Sequence, residues 1–246
     1  MVTNQGCGTK PGELRCGGAT VCSEELGRLI PIRDSIPSRR FPLVTVSLIV
    51  LNIAIFIYEA SLSPAQLREL VFAYGVVPAR DGAFGPGSWV PLVTAQFLHG
   101  GWFHVLGNML YLWVFGDNVE DLVGRMGFVL LYLTVGVAGN LAHVLANPHS
   151  PVPTVGASGA VAGVLGAYFV SFPRSRILTL VPIFFFITFA EIPAIFFLFL
   201  WFLMQFLNGV ASLAVPGNVV AWWAHVGGFL AGMILVRLFA SRRRYY

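Results

Sequence analysis

Gly156-Ala157-Ser158-Gly159-Ala160 is a stretch of small-residue backbone carrying a single hydroxyl. Loop-forming residues, 147–153, precede it, and an apolar run, 161–172, follows. The stretch therefore reads as the mouth of a helix. A serine there is idle unless the rest of the chain brings a base beside it.

The rest of the chain places that helix in a membrane. Of 246 residues, 57% are hydrophobic and only 11% charged, with a mean hydropathy of +0.77. A soluble domain carries about 25% charged residues. The chain thus reads as an integral membrane protein, and its 27 glycines suit helices that pack closely in lipid. Cys7, Cys16 and Cys22 lie in a polar N-terminal tail. Their odd number and spacing make a poor disulfide framework and a poor zinc site, so the sequence calls for no metal and no other cofactor. A sequence pI near 9.2 raises nucleic acid as a partner. The basic residues are better explained by membrane topology, and no nucleic-acid partner is expected.

A spanning helix needs about 20 mostly apolar residues. Around the central run at 158–172, the pattern predicts five more spans at 43–60, 102–119, 126–146, 193–211 and 220–239. Residues 1–28 read as a flexible polar tail with no apolar signal-peptide core, and 29–241 as the helical domain. Residues 242–246 form a basic end. The connection 61–101 is too long for a plain loop, carries an amphipathic piece at 65–74, and is expected to pack on the interface. Residues 177–190 are apolar but too short to span, and read as an interfacial or re-entrant piece.

Six spans put both termini on one side. That side holds 13 of the 15 basic residues and the other holds only Arg68 and Arg80, so both termini are expected to be cytoplasmic. Seven spans would send Arg242, Arg243 and Arg244 outside.

In this topology His104 and Asn108 at the start of the second span, Ser158 at the start of the fourth and His225 at the start of the sixth share one depth near the outer face. Polar groups in a membrane are costly and usually face an interior or a water-filled cavity. His104, Asn108 and Tyr111 lie on one helical stripe. Gly228 and Gly232 form a G-x-x-x-G on the face of His225, and Gly159 and Gly163 form a matching stripe. Facing small residues let two helices approach closely, which a histidine needs to reach a serine hydroxyl. His225 could then act as base, with Asn108, His104 and the Ser158 amide as donors to an oxyanion. No Asp or Glu lies near the outer half of the fourth or sixth span, which favours a Ser–His dyad over a triad. His99, Gln96, His143 and His149 are expected at the mouth of a hydrophilic pocket. Each residue also has a plain structural explanation: a membrane serine usually bonds its own helix, an intramembrane histidine or asparagine joins helices, and glycine stripes mean packing.

Gly156-Ala157-Ser158-Gly159 resembles the G-x-S-G nucleophile motif of the rhomboid family of intramembrane serine proteases, and Ala224-His225-Val226-Gly227-Gly228 resembles that family's histidine motif. His99, His104 and Asn108 are similar to its H-x-x-x-x-H-x-x-x-N segment, and Glu120-x-x-x-Gly124-Arg125 to a structural pair after the second helix. The resemblance covers residues 29–240. It implies an all-α membrane protein, a six-transmembrane-helix rhomboid bundle with a long first external loop and a peptidase domain over 29–241. It also implies cleavage of transmembrane protein substrates by Ser158 with His225 as general base, in a bacterial inner membrane and in contact with lipid. Two positions depart from the family. Trp89-Val90-Pro91 stands where a Trp-Arg pair is common, and Ala162 where some members place a Tyr under the histidine. The ring stacking that Tyr would provide is either absent or supplied from elsewhere, with Trp222 and Trp223 as the candidates. The Phe-rich fifth span (Phe196, Phe197, Phe199, Trp201, Phe202) and the loop Val215-Pro216-Gly217-Asn218 would serve as gate and cap, or equally as lipid-facing surface. A non-hydrolytic rhomboid-like binder is the first alternative, and a small-solute transporter, for which no inverted repeat is visible, the second. The oligomeric state is not legible.

Overall fold

Each apolar run condenses into a helix whose ends fall close to the hydropathy boundaries. The computed structural model describes residues 30–81, 89–183, 186–213 and 220–240. The cysteine-bearing tail, the 215–218 loop and the basic end lie outside them. A short strand β1 (Ile30–Asp34) leads into α1 (Leu43–Ser61), which begins after Pro42. The first loop folds into α2 (Pro64–Tyr74), α3 (Pro78–Asp81), α4 (Trp89–Thr94) and a 3-10 turn, Ala95–Phe97. A capping box between Ser63 and Gln66, with Pro64 at the first helical position, sets the start of α2.

Then come α5 (Trp102–Val123), α6 (Arg125–Ala146) and α7 (Ser158–Ser171). A hairpin, β2 (Arg176–Ile183) and β3 (Phe186–Pro193), leads to α8 (Ala194–Ser212) and α9 (Trp222–Phe239). Helices α1, α6, α8 and α9 are long and apolar enough to cross a membrane. With α5 and α7 they make the six-helix bundle that the sequence predicts. Helix α5 has 22 residues but carries Asp117, Glu120 and Asp121 in its last two turns. Helix α7 has only 14 residues, roughly 21 Å of rise. It can be short because its neighbours enclose it: every residue from Gly159 to Tyr168 is buried.

The α7–α9 contact rests on missing side chains. A Cβ on Gly228 would lie 2.0 Å from the Gly159 carbonyl oxygen, and one on Gly232 would lie 1.9 Å from that of Gly163. One on Gly166 would lie 2.0 Å from the Phe229 carbonyl oxygen. The facing glycine stripes thus do what the sequence predicts, and hold two backbones together along two helical turns.

Residues 177–190 are read as an interfacial or re-entrant piece too short to span, and 177–183 and 186–190 are strands. β1, β2 and β3 form an antiparallel sheet in that order, with Ile30 opposite Leu180 and Leu180 opposite Phe189. Ile177, Thr179, Val181 and Thr188 are β-branched and suit a pleated surface. The sheet adds to the helical bundle rather than replacing any span. Asp34 ties it to the bundle, because its Oδ2 accepts from the Tyr168 hydroxyl of α7 and from Asn118 Nδ2 of α5 at 2.8 Å. Burial pushes the Asp34 carboxyl above its ordinary range, against the lowering effect of the Tyr168 bond.

Glu120 joins two helices. Its carboxylate accepts from the backbone N–H of Val44 (3.1 Å) and Thr45 (2.8 Å) and from Thr45 Oγ1 (2.9 Å). It therefore satisfies the orphan donors at the start of α1. Arg125 opens α6 with an exposed side chain, beside a surface pocket that Glu120, Arg40 and Asp121 also line. Gly124, at φ +78°, is the single residue between α5 and α6, where a side chain would strain the reversal.

Candidate active site

The starts of α5, α7 and α9 meet at the end of the bundle away from the sheet. The loop strands of the first connection hold the approach to Ser158 in place. Val76 and Thr154 exchange backbone bonds at 3.0 and 2.7 Å, and the Gly156 N–H donates to the Ala95 carbonyl at 2.8 Å. Gly156 itself sits at φ +137°, and a Cβ there would lie 2.7 Å from the His104 ring atoms Cε1 and Nε2. Only glycine meets both conditions.

Ser158 is the first residue of α7, half-buried, and its N–H has no acceptor within the helix. His225 Nε2 is 2.8 Å from Ser158 Oγ, across the glycine contact described above. This is within the reach that a base and a nucleophile require. His225 Nδ1 is in turn 2.8 Å from Gln205 Oε1, on α8. With the amide oxygen as acceptor, Nδ1 carries the proton and Nε2 presents a lone pair to the serine hydroxyl. Two rings confine the histidine: Trp201 at 6.2 Å and 34°, and Trp222 edge-on at 6.0 Å and 83°. The ring missing at Ala162 is thus replaced mainly by Trp201. Trp222 contributes only an edge, and Trp223 packs against Phe206.

His104 takes a hydrogen bond at Nδ1 from the Gly100 N–H, at 3.3 Å. That leaves the proton of the neutral ring on Nε2, the nitrogen that faces Gly156 and the mouth of α7. Asn108 Nδ2 is buried without a hydrogen-bond partner. Other buried amides use theirs. Asn52 donates to the Leu48 carbonyl, Gln96 to those of Leu92 and Leu133, Asn140 to that of Leu92, and Asn118 to Asp34. Asn108 lies one turn along α5 from His104, on the same face.

The expected pocket mouth is assembled differently. Gln96 and Asn140 are buried anchors of the first loop, not mouth residues. His143 is buried at the end of α6 beside Asn147, and His149 is exposed on the following loop. His99 is buried, with its ring 5.2 Å from that of His104. Burial pushes the His99 imidazole down to about 3, and the nearby His104 adds to the effect. On α8, Phe196 and Phe199 face outward, whereas Phe197 packs on Phe115 and Phe202 on Phe229.

Two residues at this end escaped the sequence reading. Glu59, in the last turns of α1 and 1% exposed, accepts from the His99 N–H at 3.1 Å. Gln205, 6% exposed, sits in an otherwise apolar stretch of α8. Both carry the same signal, a buried polar side chain in a spanning helix. Neither has a motif around it.

A family profile described as Rhomboid domain matches residues 86–242. Rhomboid-like protein 11, chloroplastic, of Arabidopsis thaliana is 35% identical over 117 residues, 48% of this chain and 38% of its own length. Rhomboid protease GluP of Bacillus subtilis is 35% identical over 126 residues, 51% of this chain and 24% of its own. Putative rhomboid protease YdcA of Bacillus subtilis is 35% identical over 102 residues, 39% and 51% respectively. The chain thus spans between about a quarter and a half of the length of these relatives.

Proposed function

The chain belongs to the rhomboid family, and from that premise we propose that it is an intramembrane serine endopeptidase acting on transmembrane protein substrates. The observation that carries this reading is the 2.8 Å contact between His225 Nε2 and Ser158 Oγ. His225 takes the hydroxyl proton as Oγ attacks a peptide carbonyl carbon. The resulting oxyanion is met by the Ser158 N–H at the positive end of α7, by His104 Nε2–H and by Asn108 Nδ2. His225 then gives its proton to the leaving amide nitrogen, the C–N bond breaks and the amine fragment departs. Water, deprotonated by the same ring, hydrolyses the acyl-Ser158 ester and restores the enzyme.

Substrate helices with small or helix-breaking residues unwind near the outer face and enter between α5 and α8. The charge asymmetry of 13 to 2 supports cytoplasmic termini and a site opening to the outer side, in a bacterial inner membrane. A rhomboid-like binder that holds membrane clients without cleaving them would have no use for a paired serine and histidine. A transporter would carry paired inverted repeats, and none is visible in the sequence.

The test is cleavage of a tagged transmembrane substrate by the wild-type protein and by Ser158→Ala, with fluorophosphonate labelling of both and of His225→Ala. Loss of cleavage and labelling in the variants is expected. Unchanged cleavage by Ser158→Ala would refute the reading.

A further inference from the structure

Helix α8 carries none of the site's motifs. It nonetheless sends three residues one turn apart toward α9. Trp201 packs on the His225 ring, and Gln205 holds its Nδ1 at 2.8 Å. Gly209 makes room for the neighbouring tryptophans: a Cβ there would lie 3.5 Å from Trp222 Cβ and 3.4 Å from Trp223 Cε2. The amide is 6% exposed in a helix of mean hydropathy 2.0. A polar side chain buried in such surroundings is costly unless it is hydrogen-bonded, and this one is bonded to the histidine.

We propose that Gln205 is a positioning residue for His225. It accepts Nδ1–H through Oε1 and thereby holds the neutral ring in the tautomer and orientation that aim Nε2 at Ser158. The inference rests on the proteolytic reading above and adds a third member to the expected dyad. The sequence argument against a triad looked only for a carboxylate. An amide oxygen orients an imidazole equally well but brings no charge, so it fixes geometry without stabilising the imidazolium. The other titratable groups acting on that ring are Ser158 of α7, His104 of α5 and His143 of α6, and none of them supplies an anion at neutral pH.

The amide can therefore be tested apart from the charge. Gln205→Leu keeps the volume and removes the acceptor. It is expected to slow kcat and the rate of fluorophosphonate labelling by about 10–100-fold, the worth of one buried hydrogen bond. KM should stay close to wild type, while the stranded Nδ1–H lowers the melting temperature somewhat. Gln205→Glu restores the acceptor and adds charge. It is expected to recover most of the rate at alkaline pH, with the acidic limb of the pH–rate profile moved upward because the carboxylate favours protonated His225.

Labelling of Gln205→Leu within twofold of wild type would overturn the proposal. So would a loss that appears in KM or in melting temperature alone, or a Gln205→Glu profile that folds normally and shows neither recovery nor a shifted limb. If Gln205→Glu fails to fold, the kcat-against-KM split of Gln205→Leu decides alone. Failure of the proteolytic reading looks different: wild-type protein that neither cleaves nor labels, or labels equally in Ser158→Ala.

Discussion

Replacing Gly228 with Ala tests whether helix contact sets the chemistry. The added Cβ would lie 2.0 Å from the Gly159 carbonyl oxygen and 3.0 Å from its carbon, both backbone atoms that cannot rotate away. Ordinary contact needs roughly 3.5 Å, so α7 and α9 must part there by roughly 1.5 Å. Gly228 is less than one turn from His225, and Gly159 adjoins Ser158. Carried to the site, that shift stretches the 2.8 Å Nε2–Oγ distance to about 4 Å, beyond hydrogen-bond range. A misplacement of about 1 Å can cost about 100-fold in rate, whereas one extra methyl in a packed core costs only about 1–3 kcal/mol of stability. Activity should therefore fall much further than stability. The assay is the second-order rate of fluorophosphonate labelling beside a melting curve. Gly107→Ala serves as the control, because nothing lies within 4 Å of a Cβ at that position of α5. A folded Gly228→Ala protein that labels within threefold of wild type would refute the argument.

Glu120→Ala leaves the Val44 and Thr45 N–H groups without their acceptor. It should lower stability by about 2–4 kcal/mol while the labelling rate of the protein that stays folded is unchanged; a loss of labelling at unchanged melting temperature would contradict this role. His99 is held neutral down to about 3 in the folded protein, whereas the unfolded chain takes up its proton near 6.5. Stability contributed by the buried neutral ring is therefore complete above about 6.5 and declines as pH falls toward 3. Melting curves of His99→Phe should show a weaker acid-side decline than wild type, and parallel curves would count against it.

The helices were legible because each is an apolar run bounded by Pro, Gly or charge, and hydropathy needs no long-range information. The facing glycines of α7 and α9 were legible because their spacing matches one face of a helix. The sheet was not. β1 pairs with β2 across 150 residues of sequence, from Ile30 to Leu180, and nothing local to the chain around Ile30 announces a strand. Ser158, His225, His104 and Asn108 could be picked out by depth and stripe, and the structure brings Ser158 to His225 and sets His104 against Gly156, which precedes the serine. Gln205 and Trp201 could not be. Their importance lies in which ring they touch, and an amide in a Phe-rich helix shows only that it needs some partner.

That distinction bears on Asn108, whose environment opposes that of Asn140. Asn140 Nδ2 donates to the Leu92 carbonyl at 2.9 Å and so anchors the first loop to α6. Asn108 Nδ2 is equally dry and bonds nothing. An unsatisfied buried donor costs about 1–3 kcal/mol, and the fold bears that cost where a developing oxyanion would repay it. Replacing each with Leu should therefore produce opposite results. Asn140→Leu strands the Leu92 carbonyl and lowers the melting temperature, with labelling of Ser158 little changed. Asn108→Leu removes an unpaired donor and leaves the melting temperature equal or higher, while proteolysis falls by about 100–1000-fold, the usual worth of one oxyanion donor. A gain in stability paired with a loss in rate separates a donor held for the transition state from one that holds the fold. If Asn108→Leu melts as early as Asn140→Leu, the amide is structural, and the oxyanion assignment rests on His104 and the Ser158 N–H alone.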